Sequence, residues 1–234
     1  IQKVQAVVPP IEGTKPDGQI IAEIMTRMGY PEPDYNPASL LEEISKIVPF
    51  FAGVKWDELG DNGKQWPVKP DGTDTEILHI DTFKRGKGKF QVATWKESEE
   101  IVNHGAEFPY ILTTNRELEH YNCGTMTRRT GNVEILTDDV LLIHPEDAAK
   151  HLIHEGDFVC IISARGKIDV KAHLTDEVRP GILSSTFHFP EVKMNDLTSS
   201  VSDSEAMCPE YKVVAVNIRK SKGQFKAKMN GVTV

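Results

Sequence analysis

Apolar positions along this chain fall into two regimes. In the first, Ile20, Ile21, Ile24, Met25 and Met28 recur at helical spacing. Thr14-Lys15-Pro16-Asp17 offers an N-cap threonine, an early proline and an acid ahead of them, and Gly29 supplies the stop. Ser39 with Glu42 reads as a capping box for a second face of Leu40, Leu41, Ile44, Ile47 and Val48. Between Pro49 and Gly72 the pattern is loop-like, with Trp56 and Trp66 embedded. Glu76–Ile80 and Lys89–Trp95 read as strands joined through KRGKGK, and Glu97 to His104 as a polar helix. A boundary near Gly105 is expected, with residues 1–105 forming an irregular, helical connecting segment and 106–234 a second domain.

The second regime is short and β-like. Phe108–Thr113, Val140–Ile143 and Phe158–Ser163 are apolar runs, and His144-Pro145-Glu146-Asp147 starts a helix with proline in its first turn. Within Ile168–Thr175, Ile168, Val170, Ala172 and Leu174 alternate with polar residues, as in a half-buried strand. Arg179-Pro180-Gly181 turns into Ile182–Phe187, and Val213–Ile218 supplies a last strand. Strands this short and frequent predict a small closed barrel carrying one or two helices. The fold class is mixed α/β, mainly β.

Composition narrows the partners. The 234 residues carry a formal net charge of -8, which argues against general nucleic-acid binding because a phosphate backbone demands a basic surface. No apolar run approaches the ~18 residues of a membrane helix, so no membrane insertion is expected. Cys123, Cys160 and Cys208 lie far apart and form no CxxC pair, which points to a reduced, cytoplasmic setting. The chain opens on Ile1 without a methionine and is expected to be a piece of a longer polypeptide.

The densest chemistry is TTNRELEHYNCGTMTRR, Thr113 to Arg129, which has no clean period. Arg116, Arg128 and Arg129 are natural anion binders, because guanidinium forks match phosphate oxygens. Thr113, Thr114, Asn115, Asn122 and Thr125 add neutral donors, and Glu117 is an acceptor for a ribose hydroxyl or a base edge. The set suits a nucleotide with a diphosphate. The bland alternative is a solvated loop with internal salt bridges, which composition alone favours. His120 is a candidate donor, while His79, His144, His151, His154 and His173 share no metal-ligand spacing and read as structural. Phe187-His188-Phe189-Pro190 is either a core-to-surface transition or a pocket wall. The acidic pairs Asp138-Asp139 and Glu99-Glu100 read as surface turns. A GxSxG elbow, a P-loop and a GxGxxG fingerprint are all missing.

Taken together, these stretches resemble the molybdopterin oxidoreductases, most closely the catalytic (alpha) subunits of formate dehydrogenases. TTNRELEHYNCGTMTRR is similar to a family segment of roughly TTGRxLxHWxTGxMTRR. The likeness continues through IHPEDAAKHLIHEGDFVCIISARGKIDVKAHLTDEVRPG, FHFPEVKMNDLT and PEYKVVAV, with FAGVKWDELGDNGKQWP and GKGKF upstream. Four motifs in order make the signal specific.

The resemblance implies a C-terminal six-stranded double-psi β-barrel over 106–234 that covers a bis molybdopterin guanine dinucleotide cofactor holding molybdenum or tungsten. It assigns the dinucleotide-binding loop to Thr113 through Asn122, with Thr113, Thr114, Asn115, Arg116, Glu117, His120 and Asn122 as contacts. Asn195, Tyr211 and Lys212 become further cofactor contacts, and Phe187 an aromatic near the substrate funnel. Asn115 stands where many relatives have glycine; asparagine tolerates a positive φ there if one is needed. Tyr121 and Asn122 replace the Trp-His of nitrate reductases.

Iron–sulfur cysteines and the metal-bound residue belong to other domains of such a subunit, so this part alone is expected to be inactive and to hold no metal by itself. Its partners are the remaining domains of the same subunit and electron-transfer subunits. The implied reaction is formate to CO2. Alternatives are a relative acting on nitrate or a formyl group, a free-standing dinucleotide-binding subunit or chaperone, and a double-psi barrel doing unrelated work.

Overall fold

The six strands expected in the second half are all present, with ends shifted by up to two residues, in the computed structural model, which describes residues 1–31 and 34–222. They are β1 (Tyr110–Thr114), β2 (Val140–Ile143), β3 (Phe158–Ser163), β4 (Lys167–Leu174), β5 (Ile182–Ser185) and β6 (Val214–Lys220). They close into a barrel in the order β1-β5-β2-β4-β3-β6. The pairs β1/β5 and β2/β4 are parallel; β1/β6, β2/β5, β3/β4 and β3/β6 are antiparallel. This is the mainly β, six-stranded barrel that the sequence implied.

The helices are α1 (Asp17–Arg27), α2 (Pro37–Ile47), α3 (Glu99–His104), α4 (Asn132–Ile135) and α5 (Pro145–Lys150). Two compact units result, Ile1–Val92 and Ala93–Val234. Among the described residues, no helix is long and apolar enough to cross a membrane.

The barrel interior is filled by alternate residues of its strands. Leu112, Leu141, Ile161, Leu183, Val214 and Val216 are fully buried there. Each side chain of this kind stabilises the fold by about 1.5–3 kcal/mol relative to exposure. In β4 the burial alternates as the sequence pattern requires, with Ile168, Val170 and Ala172 inward. Helix α5 begins at Pro145, capped by the His144 ring, which accepts from the Glu146 amide at 3.2 Å. It is tied to the turn before β5 by buried Asp147, which accepts from the Gly181 amide at 2.6 Å.

The first unit has a small core of Val54, Leu59 and Val68, with Ile1, Leu41 and Phe51 against it. Both helix starts differ from expectation. Thr14 donates back to the Ile11 carbonyl, and α1 begins after Pro16 without a side-chain cap. Helix α2 is capped by Asn36, whose side chain accepts from the Ala38 and Ser39 amides at 3.0 and 3.2 Å. Pro37 at the first position, with its preset φ and missing N–H, starts that helix ahead of Ser39. The strands expected at Glu76–Ile80 and Lys89–Trp95 are absent. A strand exists only as a pairing, and a closed barrel has no free edge to offer. Phe90 in this stretch is 102% exposed.

Candidate functional site

Strand β1 delivers the chain to the site. Its register with β5 pairs Thr113 with Ser184 and Thr114 with Ser185. The ladder ends where the Asn115 amide donates to the Ser185 carbonyl at 2.8 Å. Asn115 also reaches sideways, its side-chain amide donating to the Ser184 hydroxyl. Thr114 is buried, and its hydroxyl faces the Tyr211 carbonyl at 3.5 Å. The Lys212 ammonium donates to the Thr114 carbonyl. Tyr211 and Lys212, nearly a hundred residues away in sequence, thus meet the end of β1.

Beyond Asn115 the chain leaves the barrel, and every turn of the loop has a partner. The Glu117 amide donates to His188 Nε2 at 3.0 Å, and the Asn122 carbonyl accepts from His188 Nδ1. His120 is buried with both ring nitrogens occupied: Nε2 donates to the Leu136 carbonyl at 2.9 Å and Nδ1 accepts from the Thr127 hydroxyl at 3.0 Å. That hydroxyl in turn accepts from the Tyr121 amide. The Asn132 side chain donates to the Glu119 carbonyl at 2.6 Å. The left-handed positions are Asn122 at φ 50 and Gly124 at φ 70, whereas Asn115 stays out of that region. A Cβ on Gly124 would lie 2.9 Å from the His188 carbonyl oxygen.

The three arginines have separate fates. Arg128 makes a two-pronged ion pair with Glu191 at 2.8 and 3.1 Å and lies over the Phe189 ring at 4.7 Å. Its charge is therefore neutralised within the fold, contrary to the reading of it as an open anion binder. Arg116 is exposed, lies 5.9 Å from the centre of the half-buried Phe187 ring, and has no ion pair among the described residues. Arg129 is exposed. Glu117 is exposed as well. Beside β1 and β5 a cavity of about 390 Å³ opens, lined by Thr113, Asn115, Leu142, Val178, Arg179 and Ser184. Asn195 sits apart on the short turn Met194–Asp196, anchored by buried Met194 and Leu197. Its side chain has no hydrogen bond to Thr113–Asn122 among the described residues.

Two residues that organise the site were missed or misread in the sequence. Asp139 is 1% exposed, not part of a surface turn, and accepts from the Thr186 hydroxyl and the His188 and Phe189 amides. Burial pushes its carboxyl above the usual range, against the pull of those three donors. His188 is 0% exposed. An imidazole between two aromatics just after a strand was the available signal, but its partners lie about 66 to 71 residues upstream.

Residues 110–215 match the family described as Molydopterin dinucleotide binding domain. Residues 110–215 belong to this dinucleotide-binding family. It is 35% identical over 226 residues to the F420-dependent formate dehydrogenase 2 subunit alpha of Methanococcus maripaludis, covering 94% of this chain and 33% of that protein. It is 36% identical over 222 residues to the F420-dependent formate dehydrogenase subunit alpha of Methanocaldococcus jannaschii, covering 92% of this chain and 32% of that protein. The chain thus spans about a third of the length of the curated relatives it matches. Among solved structures, acetylene hydratase from Pelobacter acetylenicus aligns with a TM-score of 0.59 at 18% identity, over 93% of this chain and 34% of that one. That likeness is one of fold.

The matched molybdopterin dinucleotide-binding region contains all six strands in whole or part, the whole loop, and Tyr211 with Lys212. Its donor set fits a dinucleotide: an arginine fork without an ion pair among the described residues, neutral amides and hydroxyls at a strand end, and an exposed carboxylate to accept from sugar or base.

Proposed function

We propose that this chain is the C-terminal, cofactor-binding part of a formate dehydrogenase-like oxidoreductase, and that Thr113–Asn122 grips the diphosphate and nucleoside of a pyranopterin guanine dinucleotide. The observation that carries this reading is Arg116: exposed, without an ion pair among the described residues, on a loop whose flanks are bonded to buried groups. Arg116 takes the phosphate oxygens. Thr113 and Asn115 supply neutral donors, and Glu117 accepts from a sugar hydroxyl or a base N–H. Lys212 keeps two N–H donors for an anion after serving the Thr114 carbonyl, and Tyr211 and Asn195 add contacts from outside the loop. Thr114 and His120, turned inward, shape the loop, and Asn122 contributes through its left-handed backbone.

When bound, the cofactor supplies two-electron redox chemistry at molybdenum or tungsten, in this reading for formate oxidation. The chain's own residues bind and orient it and shield it from water. The residue bonded to the metal and the iron–sulfur cysteines are assigned to other domains of the same subunit, with electron-transfer subunits as further partners. The relatives' standing as alpha subunits supports this division.

Arg116→Ala in the complete enzyme is expected to lower metal and pterin content sharply. Unchanged loading would remove the loop from the site. Phe187→Ala is expected to alter turnover more than loading, in keeping with a place near the substrate path.

A further inference from the structure

His188 lies outside the loop, yet its ring touches both flanks of the segment that carries Glu117 and Asn122. Nε2 faces the Glu117 N–H at 3.0 Å, and Nδ1 faces the Asn122 carbonyl. An amide N–H only donates and a carbonyl only accepts, so these two contacts assign the neutral ring with its proton on Nδ1. The ring is itself held from behind. Its backbone N–H donates to buried Asp139 at 3.2 Å, the Phe189 amide does so at 3.0 Å, and the Thr186 hydroxyl joins them. Around the ring stand the His120 ring at 5.8 Å and the Phe187 ring at 5.5 Å. The nearby charged groups are Asp139, Arg116 over Phe187, and the Arg128–Glu191 pair over Phe189.

We infer that His188 is the positioning residue of the dinucleotide loop: one imidazole sets the separation of the Glu117 amide and the Asn122 carbonyl, and so places Arg116 and Glu117 before any ligand arrives. This rests on the reading of Thr113–Asn122 as the dinucleotide site. A loop with no helical or strand period has no ladder to order it. Left loose, it would have to be ordered at the moment of binding, which weakens affinity. A group that is buried, fully hydrogen-bonded and anchored to the barrel moves that ordering into folding. His188 need not touch the ligand to do so.

The two contacts can be restored separately. In His188→Gln the side-chain carbonyl reaches the place of Nε2 and can accept from the Glu117 amide. In His188→Asn the side-chain amide takes the place of Nδ1 and can donate to the Asn122 carbonyl. His188→Leu does neither. Two quantities are read in the complete protein: amide hydrogen exchange at Glu117 in the cofactor-free form, and pterin content of the form as purified. Thermal unfolding of each variant confirms that it is folded.

The expected result is exchange at Glu117 roughly tenfold faster in His188→Leu, the scale of one lost buried hydrogen bond, with reduced pterin content. His188→Gln should return Glu117 towards wild-type protection and recover part of the content, while His188→Asn should leave Glu117 unprotected. Wild-type exchange at Glu117 in His188→Leu would overturn the inference. So would faster exchange with undiminished pterin content, provided Arg116→Ala does lower that content. If neither His188→Leu nor Arg116→Ala changes pterin content, the reading of the loop as the site fails with it.

Discussion

Glu100, on α3, and Arg165, in the turn between β3 and β4, are joined by a two-pronged ion pair of 2.6 and 2.9 Å whose carboxylate is 1% exposed. The same carboxylate accepts from the Ala215 amide of β6 at 3.1 Å. The same guanidinium donates to the Leu197 carbonyl at 3.1 and 2.8 Å. The pair thus fastens a short helix, a hairpin turn, a strand and the turn that bears Asn195. Removing one partner of a buried pair costs about 3–5 kcal/mol, and Arg165, 26% exposed, recovers part of that in water. Glu100→Ala is therefore expected to lower the free energy of unfolding by about 2 kcal/mol or more in a urea titration. Burial pushes the Glu100 carboxyl up, but Arg165, the Ala215 amide and Ser199 outweigh it and hold it below its ordinary 4.5. Its contribution is complete above 4.5 and is lost as pH falls through the lower folded value, and Glu100→Ala should flatten that part of the stability curve.

Asp139 shifts the other way. Burial raises its carboxyl above 3.8, although three donors and His188 oppose the rise. Between 3.8 and the raised value the folded chain keeps a proton that the unfolded chain has released, so stability falls as pH rises through that window. Asp139→Asn should abolish this slope. It also turns an N–H₂ group towards amides that can only donate, leaving at least one buried donor unmet, at a cost of about 1–3 kcal/mol. Denaturant midpoints of both proteins, measured from pH 4 upward, check the slope and the cost together.

What the sequence disclosed depended on how local each cause was. Strands β2 and β3 were legible to the residue because Val140–Ile143 and Phe158–Ser163 are apolar runs bounded by turns. The alternation of Ile168, Val170 and Ala172 announced β4 and its inward face. The loop Thr113–Arg129 stood out by its dense polar composition and its family likeness, but its internal hydrogen bonds did not. Arg116 and Arg128 look equivalent on paper. Only the fold brings Glu191, 63 residues away, to one of them. Asp139 and Glu100 look like surface acids beside acidic neighbours, and their donors come from β5's far end, β6 and a distant turn. The failures at Glu76–Ile80 and Lys89–Trp95 have the opposite cause: a strand-like pattern with no edge to pair.

Arg128 supplies an internal control for the site. Its guanidinium is held by Glu191 and by the Phe189 ring, so its loss removes packing and an ion pair, not a free anion binder. Both partners are about one-third exposed, which places their coupling at about 0.5–1 kcal/mol. A double-mutant cycle of Arg128→Ala and Glu191→Ala is expected to return a coupling of that size. The pterin content of folded Arg128→Ala enzyme should stay well above that of Arg116→Ala. Equal losses from the two variants would mean that the ion pair opens when ligand binds.

Asp157 offers a prediction that reads a single group. It accepts from the His154 amide at 2.8 Å and pairs with Lys220 at 2.7 Å, joining the turn before β3 to the end of β6. The Lys220 bond, then the His154 amide, hold its carboxyl down to about 2, from an ordinary 3.8. A lowered folded value means that this group favours the fold above 3.8 and ceases to do so as pH falls towards 2. Carboxyl chemical shifts followed through an acid titration should show Asp157 still ionised where ordinary aspartates have protonated. In Lys220→Ala the largest cause of the shift is gone while the His154 amide remains. The titration should then move up towards, but stop short of, 3.8. A midpoint unchanged in that variant would transfer the effect to the amide and leave the Lys220 contact without energetic weight.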